Sequence, residues 1–297
     1  MTTLVLGGNG QLGRLLPAAL APLGRVITAT RNGLLADGSA CETADLSRPD
    51  SLPDLLARVQ PQRVVNAAAY TAVDRAEEER DLAFAVNAQA PGVIARWCAA
   101  QGIPLVHYST DYVFDGQASR PYLPNDPTGP LGAYGASKLA GEEAIREAGG
   151  QHMILRTAWV YAAHGQNFLR TMLRLAAERD TLRVVADQVG TPTSADLIAS
   201  VTAKILALDA DMTGVWHLTA TGQTSWHGFA EALLGEAHAV GLISRLPQVV
   251  PITTADYPTP ARRPAYSCLD CGSLVADFQV DLPEWRQGMA DVIARLA

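Results

Sequence analysis

The chain has 297 residues, of which 48% are hydrophobic and 18% charged, and it carries a formal net charge of -7. These values are typical of a globular protein, and an acidic chain without a basic stripe argues against nucleic acid as the main partner. No apolar stretch approaches the roughly 18 residues that a membrane span needs, and the N-terminus lacks the features of a signal peptide. We therefore expect a cytoplasmic protein that contacts neither membrane nor nucleic acid.

Short apolar runs alternate with helical stretches from the first residues onward. Strands are predicted at residues 3–8, 25–30, 63–68, 103–110 and 152–161, and helices at 11–24 and 82–102. Pro17 removes a helical hydrogen bond, so we expect a kink or a shifted start in the first helix. Apolar strands separated by helices predict an α/β fold, a Rossmann-type doubly wound parallel sheet.

The alternation loosens after residue 161, where shorter strands and further helices follow. We therefore predict a smaller α/β substrate domain woven into the first domain. The dinucleotide-binding domain would comprise residues 1–161 plus roughly 185–220. The substrate domain would comprise roughly residues 162–184 and 221–297.

A glycine-rich turn, "GGNGQLG", lies between the first strand and the first helix. It places Gly7, Gly10 and Gly13 at three-residue intervals, with Gln11 and Leu12 between them. Glycines allow a tight turn and let backbone N–H groups approach a pyrophosphate, which a helix N-terminus also attracts. In this strand–turn–helix context the five residues predict a dinucleotide-binding site.

The second strand ends with Thr30 and Arg31, where NAD-binding domains commonly have an acid for the ribose 2′-hydroxyl. Because a guanidinium can pair with a 2′-phosphate, Arg31 favours NADPH, with NADH still possible. A solvated surface arginine is the alternative. Asp45 and Leu46 are candidate contacts for the adenine.

Small residues follow the third strand in "NAAAYTAVD". They would let a ribose and phosphates lie close to the backbone, although tight helix–strand packing would select the same residues. The candidate cofactor residues of this segment are Ala67, Ala68, Ala69, Tyr70 and Thr71.

"AYGASKLAGE" places Tyr134 and Lys138 one helical turn apart, so both side chains can reach one ligand. A free phenol has a pKa of about 10, and a nearby ammonium lowers it. Thr110 ends a strand in "HYSTDYVFDG", at the sheet edge where ligands of parallel sheets bind. We interpret Tyr134 as a proton donor, Lys138 as the group that tunes it and binds the nicotinamide ribose, and Thr110 as a donor to a carbonyl.

Four cysteines are present, and "CLDC" holds Cys268 and Cys271. A zinc site needs four ligands, and this pair has neither a second pair nor a histidine cluster nearby. We expect reduced thiols and no metal ligands.

Eight segments support a family resemblance. They are "GGNGQLG", "NAAAYTAVDRAE", "VNAQAP", "HYSTDYVFDG", "YGASKLAGE", "LRTAWVY", "DQVGTPTSADLI" and "RRPAYSCLD". On these motifs nearly the whole chain resembles the extended short-chain dehydrogenase/reductase family. Within that family, "STDYVFDG", "RTAWVY" followed by "NF", and "DQ-x-G-x-P-T" resemble the branch that reduces nucleotide-activated keto sugars.

The resemblance implies roles for further residues. Tyr134, Lys138 and Thr110 would be catalytic, Thr110 and Asp111 would contact the sugar, and Trp159 would line its pocket. The residues facing the nucleotide part of the substrate would be Asn167, Phe168, Gln188, Arg262 and Arg263. Some relatives dimerise through a metal bridge, so Mg²⁺ and the choice between monomer and homodimer stay open.

The implied reaction is reduction of the C4 carbonyl of dTDP-4-dehydro-6-deoxy-L-mannose by NAD(P)H, which gives dTDP-L-rhamnose. Two alternatives remain: a nucleotide-sugar epimerase or dehydratase of the same family, and a non-catalytic subunit resembling the regulatory subunit of methionine adenosyltransferase. Net consumption of NADPH distinguishes the reductase from both.

Overall fold

The computed structural model describes residues 1–208 and 212–297, and seven parallel strands of these residues form a central sheet. The strands of the described chain are β1 (Thr2–Leu6), β2 (Arg25–Thr30), β3 (Glu42–Thr43), β4 (Arg63–Asn66), β5 (Leu105–Thr110), β6 (His152–Thr157), β7 (Val160–Tyr161), β8 (Thr181–Val185), β9 (Val189–Gly190), β10 (Thr193–Ser194), β11 (Gly214–His217), β12 (Thr224–Ser225) and β13 (Gln248–Ile252). The central sheet has the order β11-β6-β5-β4-β1-β2-β3. Because the order reverses between β1 and β4, ligands are expected beyond the carboxyl ends of these two strands.

Some helices of the described chain cover the two faces of this sheet, and others pack around a separate core. These helices are α1 (Leu16–Leu20), α2 (Leu52–Val59), α3 (Arg80–Phe84), α4 (Ala90–Gln101), α5 (Ala133–Glu147), α6 (Phe168–Glu178), α7 (Ala195–Leu206), α8 (Trp226–Ala239), α9 (Gly272–Phe278) and α10 (Trp285–Ala294). Val5 of β1 packs in one core with α1 and α7, whereas Leu4 and Leu6 pack in another with α2, α4 and α5. This alternation confirms the predicted doubly wound sheet.

The first helix starts later than its sequence pattern, as the proline indicated. The α-helix begins at Leu16, and Pro17 occupies its first turn, where a missing N–H has no partner to lose. Residues 11–15 form turns instead.

The predicted helix 82–102 is interrupted, which the sequence did not indicate. A π-helical turn, Ala85–Gln89, separates α3 from α4. Pro91 cannot donate to the carbonyl of Asn87, and α5 approaches that carbonyl so closely that a Cβ on Gly141 would lie 2.0 Å from it. Such π-turns are frequent at functional sites.

A second group of elements has its own hydrophobic core, in which α6, α8 and α10 pack around Phe229 and Trp285. Strands β8 and β13 pair beside it in parallel. The proposed division of the chain between two domains stays a prediction, and its 185–220 segment includes residues 209–211, which lie outside the described residues.

Among the described helices, none is long and apolar enough to cross a membrane.

Candidate active site

The glycine turn after β1 is built from close backbone contacts. Gly7 has a φ of 85°, and a Cβ there would lie 2.6 Å from the backbone nitrogen of Ala68. A Cβ on Gly13 would lie 2.0 Å from the carbonyl oxygen of Gly7. Both positions therefore require glycine, and the turn lies against the segment that follows β4.

This turn presents backbone donors. Gly10 donates to the carbonyl of Gly7 at 2.9 Å. Within the described residues, the backbone N–H groups of Gln11, Leu12 and Gly13 make no hydrogen bond. Free amides on a glycine turn fit a pyrophosphate, so these residues suit a dinucleotide.

The end of β2 leaves Arg31 exposed, with no ion pair among the residues described. The hydroxyl of Thr30 is used locally and donates to the carbonyl of Leu34 at 3.0 Å. Asp45 accepts hydrogen bonds from the backbone and hydroxyl of Ser47, and Leu46 is buried in the core. Arg31 is therefore available to an anion, while Leu46 offers little surface to an adenine.

The segment after β4 is fixed by two asparagines. Ala68 donates its backbone N–H to Asn66 Oδ1 at 3.1 Å. Asn87, in the π-helical turn, accepts from the backbone of Tyr70 at 2.8 Å and donates to the hydroxyl of Ser137 on α5 at 3.0 Å. The structure therefore ties the small-residue segment, from Ala67 to Thr71, to the helix that carries Tyr134.

Thr110 and Asp111 are buried at the end of β5, and the partly buried Tyr134 lies beside them. Thr110 donates to Asp111 Oδ1 at 3.0 Å. Burial raises the pKa of Tyr134 to about 12; a hydrogen bond with Thr110 opposes the shift and the charge of Asp111 adds to it. Burial also raises the pKa of Asp111 to about 6, and its Oδ2 makes no hydrogen bond within the described residues. A buried polar atom without a partner fits a site that receives a polar ligand.

Lys138 is only 2% exposed, and its ammonium nitrogen points toward β5. It lies 2.6 Å from the carbonyl oxygen of Tyr108 and 3.2 Å from His107 Nε2. Burial lowers the pKa of Lys138 to about 8, with the charge of Glu142 opposing the shift. The predicted lowering of the Tyr134 pKa is not seen in this ligand-free structure, because burial of the phenol dominates.

Trp159 lies between β6 and β7, which the sequence predicted as one strand. Its φ of 47° breaks the strand and turns the indole toward α8. The Trp159 ring stacks on Trp226 with centroids 3.5 Å apart. Phe168 packs against Trp226 with centroids 4.6 Å apart. A Cβ on Gly190 would lie 2.4 Å from the Trp159 ring. These side chains form an aromatic wall beside β7.

Two residues predicted to face the substrate have internal partners. Asn167 caps α6: its Oδ1 accepts from the backbone of Arg170, and its Nδ2 donates to the carbonyls of Ala162 and His164. Gln188 is 5% exposed and donates to the hydroxyl of Thr254 at 3.0 Å. Both residues therefore shape loops, and their contact with the substrate stays a prediction.

The adjacent arginines differ in environment. Arg263 pairs with Asp74 through two hydrogen bonds, of 2.8 and 3.1 Å, and so ties its loop to the segment after β4. Arg262 is exposed and forms no ion pair within the described chain.

Sequence reasoning did not single out four residues that shape the site. They are Asn66, Asn87, His107 and Trp226. A polar residue at the end of a buried strand was a signal for Asn66, and the quoted motif "VNAQAP" contains Asn87. Nothing in the sequence indicated the stacking of Trp226, since its partner is 67 residues away.

A glycine turn after β1, with a Thr–Tyr–Lys set on β5 and α5, defines an oxidoreductase of the short-chain dehydrogenase/reductase type. A family model described as the RmlD substrate binding domain matches residues 1–297, and the chain belongs to this family.

Relatives agree with this assignment. A dTDP-4-dehydrorhamnose reductase of Burkholderia thailandensis is 49% identical over 295 residues, which cover 96% of each chain. One from Escherichia coli K12 is 41% identical over 100% of this chain and 98% of its own length. Among solved structures, dTDP-4-dehydrorhamnose reductase from Bacillus anthracis in complex with NADP has a TM-score of 0.89 at 32% identity and covers 99% of both chains.

Proposed function

We propose that the protein reduces the C4 carbonyl of dTDP-4-dehydro-6-deoxy-L-mannose with NADPH to give dTDP-L-rhamnose. The observation that carries this proposal is the set of Thr110, Asp111 and Tyr134, which lies with the buried Lys138 at the carboxyl edge of the sheet. Arg31 is the feature that favours NADPH, and NADH is a second candidate cofactor.

The glycine turn and the segment from Ala67 to Thr71 would hold the cofactor, which supplies a hydride when bound. Thr110 would donate a hydrogen bond to the carbonyl oxygen, and Tyr134 would give that oxygen its proton. A reduction needs a phenol that is protonated at neutral pH, and the raised pKa of Tyr134 ensures this. Donors placed where negative charge develops lower the barrier.

Replacing Arg31 with alanine should raise the KM for NADPH about tenfold and leave the KM for NADH unchanged, since only NADPH carries the 2′-phosphate. Steady-state assays with both cofactors measure this ratio. An equal change for the two cofactors would assign Arg31 to the solvated surface.

We assign the diphosphate of the substrate to Arg262. Arg262→Ala should weaken dTDP binding about 10–100-fold, because it removes charge-assisted hydrogen bonds. Arg263→Ala should instead lower the thermal midpoint, since Arg263 already pairs with Asp74. Calorimetric titration with dTDP measures binding to both variants. Weaker binding in Arg263→Ala and unchanged binding in Arg262→Ala would exchange the two roles.

Asp111→Asn should stabilise the protein above pH 6. The folded-state pKa of about 6 exceeds the usual value, so the wild type loses stability as pH rises from about 4 to 6 and the buried carboxyl ionises. The variant's higher melting temperature should therefore vanish near pH 4. Asp115→Asn is the control, and it should lower the stability of the protein rather than raise it. A hydrogen bond from Tyr122 lowers the pKa of Asp115, so its ionised form stabilises the fold.

We further propose a cytoplasmic monomer or homodimer that does not bind nucleic acid. Among the described residues, no group of three His, Cys, Asp or Glu side chains could hold a metal ion, so no residue is assigned to Mg²⁺.

The test of the proposed function is NADPH oxidation in the presence of the dTDP-4-keto sugar, supplied by a coupled C3/C5 epimerase. One NADPH should be consumed for each sugar reduced. Conversion of the sugar without net oxidation would favour an epimerase or dehydratase. Absence of turnover with either cofactor, despite dinucleotide binding, would favour a regulatory subunit.

A further inference from the structure

A chain of buried polar side chains lies behind the catalytic lysine. Asn66 at the end of β4, His107 in β5 and Lys138 in α5 are each at most 2% exposed. Asn66 Nδ2 lies 3.1 Å from His107 Nδ1, and His107 Nε2 lies 3.2 Å from Lys138 Nζ. The sequence predicts that Lys138 tunes Tyr134 and binds the nicotinamide ribose, whereas neither the sequence nor the proposed reaction gives Asn66 or His107 a role.

A backbone hydrogen bond fixes the donor-to-acceptor direction of the hydrogen bonds among these three side chains. Asn66 Oδ1 accepts the N–H of Ala68, so the amide nitrogen of Asn66 must face the imidazole. An amide nitrogen only donates, and therefore His107 Nδ1 accepts. Burial lowers the pKa of His107 well below its usual value, which keeps the ring neutral. Its single proton then lies on Nε2.

That proton points at Lys138 Nζ. An ammonium group only donates, so two donors would face each other across 3.2 Å if Lys138 were charged. A neutral amine has a lone pair that accepts from Nε2–H, and it can still donate to the carbonyl of Tyr108 at 2.6 Å. One protonation pattern therefore satisfies every hydrogen bond of the chain.

The charged groups around the lysine leave this pattern in place. Glu142, one turn further along α5, forms two hydrogen bonds of 2.6 and 2.9 Å with Arg156 of β6, so its charge is balanced there. Tyr134, one turn earlier, is neutral because its pKa is raised. His107 is the titratable side chain that contacts Lys138 from the sheet.

We propose that His107, oriented by Asn66, is a positioning residue that stabilises the neutral amine form of Lys138 in the ligand-free protein. A ligand that occupies the site and offers acceptor oxygens then raises the proton affinity of Lys138. The identity of that ligand rests on the proposed function, whereas the tautomer of His107 and the charge of Lys138 are measurable without any substrate. Failure of the proposal about His107 and Lys138 is thus distinguishable from failure of the proposed function.

The sequence makes the lysine directly observable, since Lys138 and Lys204 are its two lysines. Lysine labelled with ¹³C at Cε and ¹⁵N at Nζ gives two NMR signals, and Lys204→Arg, at an exposed position of α7, assigns them. In the ligand-free protein Lys138 should titrate with a pKa of about 8.

Variants of His107 separate its role from that of burial. His107→Leu removes the Nε2–H donor, so the proton affinity of Lys138 should rise roughly tenfold. His107→Gln offers an amide N–H to Lys138 and a carbonyl oxygen to Asn66, and should restore most of the wild-type midpoint. An unchanged Lys138 titration in a folded Leu variant would overturn the proposal.

The ¹⁵N shifts of the imidazoles give a second test on the unaltered protein, which stands even if the Leu variant does not fold. The six histidines are labelled, and the His107 signals are assigned by their loss in His107→Gln. The proposal requires a neutral ring protonated at Nε2. A proton on Nδ1 would contradict it.

Discussion

Tyr134→Phe is expected to lower kcat/KM by about 10²–10⁴-fold, because the substitution removes the proton donor and keeps the ring that packs against Tyr112 at 5.5 Å. NADPH affinity should change little, since the cofactor contacts assigned to the glycine turn are untouched. Steady-state kinetics and a fluorescence titration with NADPH separate the two effects.

Tyr108→Phe is the matched control for this experiment. The Tyr108 hydroxyl is paired with Thr202 Oγ1 at 2.8 Å, and the Tyr108 carbonyl that contacts Lys138 is retained in the variant. It removes one buried hydroxyl without touching the proposed proton donor, so kcat/KM should stay close to that of the wild type. Comparable losses in the two variants would exclude Tyr134 as the acid.

Glu142→Gln is expected to cost about 3–5 kcal/mol in the free energy of unfolding. Glu142 and Arg156 are 0% and 3% exposed, so the neutral amide would leave a buried guanidinium without its counterion. The guanidinium also lies over the Phe114 ring, 5.1 Å from its centroid, which holds it in place. The thermal midpoint at pH 7 should fall by roughly 6–15 °C, as measured by circular dichroism.

Arg295→Ala provides the comparison for the buried pair. Arg295 and Asp196 also form two hydrogen bonds, of 2.6 and 2.8 Å, but their side chains are 48% and 35% exposed. Exposed pairs contribute about 0–1 kcal/mol, so the midpoint should move by a few degrees at most. Equal shifts for the two variants would show that burial does not set the strength of the Glu142–Arg156 pair.

The sheet could be predicted because its strands are buried on both faces and therefore read as continuous apolar runs. The same logic suggested where the candidate site lies: Thr110 ends one such run, and glycines follow another. The pairing of Tyr134 with Lys138 followed from helical spacing alone. These features are local in sequence.

Features that depend on distant contacts could not be predicted. The π-helical turn reflects the close approach of Gly141 to Asn87, and the left-handed backbone of Trp159 accompanies stacking on Trp226. Arg263 is paired with a carboxylate 189 residues away in sequence. No local pattern distinguishes a capping asparagine such as Asn167 from one that binds a ligand.

The proton affinities of the site also lay beyond sequence reasoning. The one-turn spacing indicated an ammonium acting on a phenol, but burial dominates the pKa of both groups in the ligand-free protein. The contact between Lys138 and His107 joins two elements whose register only the fold determines.

The central claim, hydride transfer to the sugar C4, is tested most directly with NADPH deuterated at both positions of nicotinamide C4. The sugar product is then examined by proton NMR. The account predicts dTDP-L-rhamnose in which the C4 proton signal is lost to deuterium, with one label for each NADPH oxidised. Oxidation of NADPH with a label elsewhere, or a product without deuterium, would contradict it.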